Sequence, residues 1–191
     1  MTTQVFLASG SPRRKELLAQ LGYQFEILSV DVAEVHQAHE TPLMYVERLS
    51  QDKAQAGVKA IEQIENKNIP VLGSDTIVVI DGVILEKPKD FEDAKRMLLA
   101  LSGRQHQVMT AVTLATPEKK RTKTVITKVW FRTLSIQEIE QYWESGEPCD
   151  KAGSYGIQGS GGRFVSRIDG SYHAVMGLPL METDQLLHQF L

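Results

Sequence analysis

Cysteine is nearly missing: Cys149 is the single one in 191 residues. One thiol excludes an intrachain disulfide and fits a reducing compartment. Long apolar runs are lacking too. Residues 1–20 carry charges at positions 13–16 and no stretch of signal-peptide or membrane length, so a cytoplasmic location is expected. The charge imbalance is small, at −3 with 42% hydrophobic residues, which excludes a disordered chain and a nucleic-acid-coating one. There is no internal repeat and no low-complexity segment. Several catalytic signatures are absent as well: there is no Walker spacing, no G-x-G-x-x-G and no G-x-S-x-G elbow. The five histidines are scattered, without zinc spacing. The length allows one domain or two tightly joined lobes with a real core.

What is present begins with Leu7-Ala8-Ser9-Gly10-Ser11-Pro12-Arg13-Arg14-Lys15. Val5–Ala8 reads as a short buried strand and Ser9-Gly10-Ser11 as a turn. Ser11 suits an N-cap and Pro12 the first helical position. A helix start presents free N–H groups and a positive dipole end, yet Arg13, Arg14 and Lys15 crowd it with further positive charge. A bound polyanion would offset that misplacement; a capped helix with a solvated basic turn accounts for the pattern equally well.

Further along, 25–30 reads as a strand, 31–41 as a polar loop, and Thr41-Pro42 opens a helix to about Asn66. On it Val46, Leu49, Lys53, Gly57 and Ile61 share one face, which puts Lys53 on the apolar stripe. A lysine there snorkels to water or reaches an anion beside the helix. Val71–Ile80 is the most strand-like segment, with Asp75-Thr76 interrupting its N-terminal side; a carboxylate at such a strand end must be paired, hydrogen-bonded or metal-bound. Asp81-Gly82 signals a tight hairpin returning through 83–85 to Glu86-Lys87-Pro88. Asp90 caps a helix to Leu101, and 107–115 and 122–132 form a hairpin around the polar tip 117–121. Ser135–Glu138 is a capping box. Residues 146–162 form a glycine-rich loop, 164–168 a strand, 170–172 a turn and 179–190 a closing helix. Tyr155, Trp130 and Trp143 are assigned to packing. This alternation indicates an α/β protein with a mixed sheet.

The polar outliers sort into cations (Arg13, Arg14, Lys53, Lys87, Lys151) and acids (Glu34, Asp75, Glu86). The first set suits a phosphate chain, and hard carboxylate oxygens suit Mg²⁺. A carboxylate so placed also activates water. Phosphate-ester or anhydride chemistry is the natural class.

The motifs 7–14, Gly73-Ser74-Asp75-Thr76, Leu85-Glu86-Lys87-Pro88, 150–159 (Asp-Lys-Ala-Gly-Ser-Tyr-Gly-Ile-Gln-Gly) and Gly177-Leu178-Pro179-Leu180 resemble the Maf family of nucleoside triphosphate pyrophosphatases, in family order. The resemblance implies a single Maf-type domain over 1–191, with a mixed twisted β-sheet, flanking helices and two lobes around an active-site cleft, as in Maf/ITPase-like folds. It implies hydrolysis between the α and β phosphates to a monophosphate and pyrophosphate, a divalent cation (Mg²⁺ or Mn²⁺), and a homodimer. Asp75 matches the family's proton acceptor; Ser9, Arg14, Lys53, Lys87 and Lys151 match phosphate-site positions; Glu34, Glu86 and Asp75 match the metal side. Arg13, Thr76 and Gln158 resemble the branch acting on dTTP and UTP, whereas the 7-methyl-GTP branch typically has an aromatic residue, a glutamine and a glutamate there. A glutamine amide offers both donor and acceptor, as a pyrimidine imide edge requires. Ala33 stands where many members carry a second acid, and His173 where asparagine is frequent. The alternatives are the 7-methyl-GTP activity and a non-catalytic, nucleotide-binding regulator of septum formation.

Overall fold

Ser11 and Pro12 act as their types predict: the Ser11 hydroxyl accepts the Arg14 backbone N–H, and helix α1 runs Pro12–Gln20. It follows strand β1 (Val5–Leu7), buried along its length. In the computed structural model, which describes residues 3–62 and 68–191, the chain continues through β2 (Phe25–Ile27), α2 (Pro42–Ile61), β3 (Val71–Ile80), β4 (Val83–Leu85), α3 (Phe91–Leu101) and β5 (Gln105–Ala115). Then come β6 (Lys120–Phe131), α4 (Ile136–Glu144), β7 (Val165–Asp169), α5 (Tyr172–Met176) and α6 (Leu180–Leu187). The strands make a seven-stranded sheet in the order β2-β1-β3-β5-β6-β7, with β4 beside β3. β1 is parallel to β2 and β3, while β4 is antiparallel to β3 and β7 to β6. The mixed sheet with flanking helices is the α/β class predicted. Among the described residues, no helix is long and apolar enough to cross a membrane.

The chain divides into two compact units. The first comprises Met1–Asp75, Thr110–Val125 and Gly177–Leu191; the second comprises Thr76–Met109 and Ile126–Met176. Each has its own core. In the first, Phe6, Ala8, Ala54, Val58, Ile61, Val71 and Ala115 bury one face of α2 against strand residues. In the second, α3 contributes Met97, Leu98 and Leu101 to a cluster with Val78, Val129, Phe131, Tyr142 and Phe164. Asp81 (φ 50°) and Gly82 (φ 76°) make the hairpin joining β3 to β4, which needs the left-handed conformation twice.

α2 lies very close to β3. A Cβ on Gly73 would stand 2.4 Å from the Ser50 carbonyl oxygen and 2.5 Å from the Ala54 nitrogen. One on Gly57 would stand 2.6 Å from Val71 Cγ1. Both sites therefore exclude any side chain, and the helix segment carrying Lys53 is drawn onto the strand.

Several boundaries differ from expectation. β2 stops at Ile27 because its partner β1 stops opposite it at Leu7, although Leu28 N–H still donates to Leu7 O at 2.9 Å. Asp75 is not at a strand end: β3 is continuous, and Asp75 lies inside it with buried neighbours. The glycine-rich loop contains three short 3-10 turns, at Glu147–Asp150, Ala152–Ser154 and Ser160–Phe164. The short helix α5 has too few residues for a periodic signal. The closing helix α6 is shorter than 179–190. The predicted extension of α2 toward Asn66 lies outside the described residues.

Gly73→Ala forces α2 off β3. We expect a loss of about 2–3 kcal/mol, lowering the thermal midpoint by roughly 4–12 °C. Gly10→Ala, where nothing lies within 4 Å of the added methyl, should stay within about 2 °C of the parent. Equal midpoints for the two variants in calorimetry would refute the close-approach argument.

Candidate active site

The first unit assembles its polar groups around the entry to α1. Ser9 is buried at the end of the β1 run, and its hydroxyl accepts the Ser11 N–H at 3.2 Å and Arg14 Nη1 at 3.4 Å. Arg14 Nε donates to Gly177 O at 2.9 Å, and the buried Ser74 hydroxyl donates to the same oxygen at 3.0 Å. Gly177 has φ 122°, in the region that favours glycine, which turns its carbonyl toward both donors. Loss of water lowers the Arg14 pKa, an effect opposed by Asp75 and Glu34 and reinforced by Arg13. Arg14 is thus a half-buried guanidinium with a carboxylate in its field.

That carboxylate is Asp75, 6% exposed. Lys53 Nζ lies 2.6 Å from Asp75 Oδ1 and 2.6 Å from Glu34 Oε1. Lys53 therefore does not snorkel to water: the close contact at Gly73 places its stem beside β3, and its ammonium finds two anions. The Lys53 side chain is 12% exposed, against 41% for Glu34, so the pair with Asp75 is the buried one. Burial raises the Asp75 pKa; Lys53 and Arg14 oppose the rise, and Glu34 adds to it. The result is a largely desolvated carboxylate held between two cations, with more affinity for a proton than an exposed aspartate.

Arg48 holds the loop that carries Glu34. It donates from Nη2 to Val35 O at 2.9 Å, pairs with Glu40, and donates from Nη1 to Asp52 at 3.0 Å. Glu34 and Asp75 both face one cationic centre, the Lys53 ammonium, through hard oxygens. Among the described residues no three His, Cys, Asp or Glu side chains gather as a metal cage. Glu34 and Asp75 form a two-carboxylate set, and Glu86 belongs to the second unit. Two carboxylates completed by phosphate oxygens and water are the usual donors for Mg²⁺, so these residues fit such an ion.

The second unit begins with Thr76, half-buried directly after Asp75. Glu86 and Lys87 are exposed beyond β4, and Gly153 N–H donates to Glu86 O at 3.2 Å, tying the 85–88 motif to the 150–159 motif. Lys151 Nζ lies 2.8 Å from Asp150 Oδ1 and 2.9 Å from Glu147 O. Gln158 is exposed. The structure thus gathers Ser9, Arg14, Glu34, Lys53 and Asp75 in the first unit, with Arg13 in the field of Arg14. Glu86, Lys87, Lys151, Thr76 and Gln158 lie in the second.

Sequence reasoning gave no role to Gly73, Ser74, Gly177, Tyr142 or Glu147. The signal for the first three was their place inside quoted motifs. For Glu147, it was an acid four residues before Lys151 at the head of a glycine run.

A buried acid on a strand, set against a lysine and an arginine at a capped helix start, is a candidate site for anion chemistry on a mixed α/β sheet. Residues 4–190 match the family model described as Maf-like protein. The chain is 90% identical over 191 residues, all of both chains, to a dTTP/UTP pyrophosphatase of Aliivibrio fischeri. It is 66% identical to the dTTP/UTP pyrophosphatase of Photobacterium profundum over 98% of this chain and 97% of that one. With that of Salmonella typhimurium the identity is 55%, covering 98% of this chain and 93% of the relative. The chain belongs to the Maf family.

Lys53→Met removes the largest influence opposing the rise of the Asp75 pKa. A carboxyl whose folded pKa is raised binds protons more tightly when folded, so stability falls as pH climbs above the ordinary value of 3.8. We expect Lys53→Met to be destabilised by about 3–5 kcal/mol at neutral pH, with a steeper fall between pH 4 and 7 than in the parent. Adding Asp75→Asn should restore most of the loss. Denaturant titrations across pH check this, and equal pH slopes in parent and variant would contradict it.

Proposed function

We propose that this chain hydrolyses dTTP and UTP at the α–β phosphoanhydride, releasing the nucleoside monophosphate and pyrophosphate. The observation that carries the reading is the buried Asp75 carboxylate with Lys53 Nζ at 2.6 Å and Arg14 in its field. The names of three relatives at 55–90% identity support the substrate.

In this reading Asp75 takes a proton from a water that attacks the α-phosphorus. An oxygen–phosphorus bond forms, the bond to the bridging oxygen breaks, and pyrophosphate leaves with the electron pair. The raised proton affinity of Asp75 makes it a better base than a solvated carboxylate, while Lys53 favours its charged form. Ser9, Arg14, Lys53, Lys87 and Lys151 bind phosphate oxygens. A Mg²⁺ or Mn²⁺ ion held by Glu34 and Asp75, with Glu86 as a further candidate, would neutralise charge on the phosphates. Arg13, Thr76 and Gln158 choose the base, the Gln158 amide pairing with the pyrimidine imide edge. A single Maf-type domain with two lobes, a homodimeric assembly, a cytoplasmic location, and no nucleic-acid or membrane partner complete the proposal.

Pyrophosphate release should be seen with dTTP and UTP and either ion, and should be much weaker with CTP and 7-methyl-GTP. Asp75→Asn should lower kcat by about 10²–10⁴-fold while keeping the fold. Parent-rate hydrolysis of dTTP by Asp75→Asn would remove Asp75 from the role of base. Tight nucleotide binding without turnover by the parent would favour the regulatory alternative.

A further inference from the structure

The loop that carries Lys151 and Gln158 is wrapped around a single carboxylate. Glu147 Oε1 accepts the Tyr142 hydroxyl at 2.7 Å and the Gly161 N–H at 3.0 Å. Its Oε2 accepts the Ser160 N–H and the Ser160 hydroxyl, both at 2.8 Å. Four donors take up the acceptor capacity of a carboxylate. Burial alone pushes the Glu147 pKa up, but the hydrogen bonds from Tyr142, Gly161 and Ser160 outweigh it and bring the value down to about 2. The Tyr142 hydroxyl also accepts the Gly156 N–H at 3.1 Å, and the Glu147 carbonyl accepts Lys151 Nζ at 2.9 Å.

The glycines of this loop belong to the same construction. A Cβ at Gly159 would stand 2.5 Å from the Glu147 carboxyl carbon. One at Gly161 would stand 2.5 Å from the Tyr142 hydroxyl, and one at Gly156 would stand 2.8 Å from Lys151 Cε. The backbone closes on Glu147 and Tyr142 on both sides of Gln158, whose side chain is left exposed. Gly159 and Gly161 are thus close approaches to one anion and one phenol, and Gly156 is one to the Lys151 stem.

We propose that Glu147 is a positioning residue for base selection: its carboxylate fixes the backbone that presents Gln158, and its carbonyl holds the Lys151 ammonium. This rests on the reading in which Gln158 meets the nucleobase and Lys151 the phosphates. It adds that discrimination depends on a residue whose own oxygens are all engaged by the loop.

The test uses the full chain and the ratio of kcat/KM for dTTP to that for CTP, which is independent of the fraction of folded enzyme. Glu147→Gln turns one acceptor into an NH₂ group that confronts two donors, at almost no change in volume. We expect the ratio to fall about tenfold, with the loss in KM for dTTP and kcat changed less than about threefold. Gln158→Ala should lower the same ratio, and the double variant should fall no further than the lower single one. Ser160→Ala removes one bond and should lower the ratio by about threefold; it carries the test if Glu147→Gln fails to fold. An unchanged ratio in Glu147→Gln or in Ser160→Ala, with Gln158→Ala lowered, overturns the positioning role alone. An unchanged ratio in Gln158→Ala, or a parent without preference for dTTP, overturns the underlying reading as well.

Discussion

The polar cluster of the first unit depends on the ion pair between Lys53 and Asp75, at 2.6 Å with both side chains largely out of water. An isolated carboxylate in that position would surrender its charge, because desolvation outweighs whatever dispersion it gains. The ammonium opposes that loss without restoring an ordinary pKa, since Asp75 still sits above its usual range. A buried pair of this kind contributes little to folding compared with an apolar replacement. Stability therefore does not account for its presence between Ser74 and Thr76 on β3, whereas the proposed reactivity would. It also dictates its surroundings. Gly73 must lack a side chain so that α2 can approach, and Ala54 fills the next position on the same helix.

Arg14 shows the same trade at a helix start. Its side chain leaves the first turn of α1, where the dipole disfavours it, and reaches the Gly177 carbonyl and the Ser9 hydroxyl. The polar atoms that hold it come from positions 9 and 177, with the Ser74 hydroxyl bonded to the same Gly177 carbonyl, so the guanidinium is fixed by tertiary contacts rather than by its own helix. A planar group with five donors can bond a carbonyl and a hydroxyl at once in fixed directions; a lysine there would lack that geometry.

In the second unit an anion is stabilised by neutral donors. Glu147 is ringed by hydroxyls and N–H groups, and Lys151 meets its carbonyl rather than its carboxylate. Nearby, His106 is 2% exposed, bonds the Tyr155 hydroxyl at 2.7 Å, and stacks edge-on with Phe131 and Tyr155. Burial lowers its pKa to about 4, so it stays neutral at physiological pH and serves the core. Tyr155 is likewise a packing residue, as its type predicts.

Local chemistry determined what local chemistry governs. The caps at Ser11, Thr41, Asp90 and Ser135, the Asp81-Gly82 hairpin and the ten-residue strand at 71–80 follow from hydrogen bonds and dihedral preferences within a few residues. Which residue types could perform phosphate chemistry was equally plain, as was the family, because motifs in a fixed order are a property of the chain itself. Only the tertiary structure decided that Asp75 lies within its strand, that Lys53 turns inward, and that Glu147 gathers the glycine loop. Those outcomes depend on distances between residues far apart in sequence, such as Ser50 O to Gly73 or Gly161 N to Glu147. Burial, which sets the proton affinity of each acid, is created by that packing and is not written in any one segment.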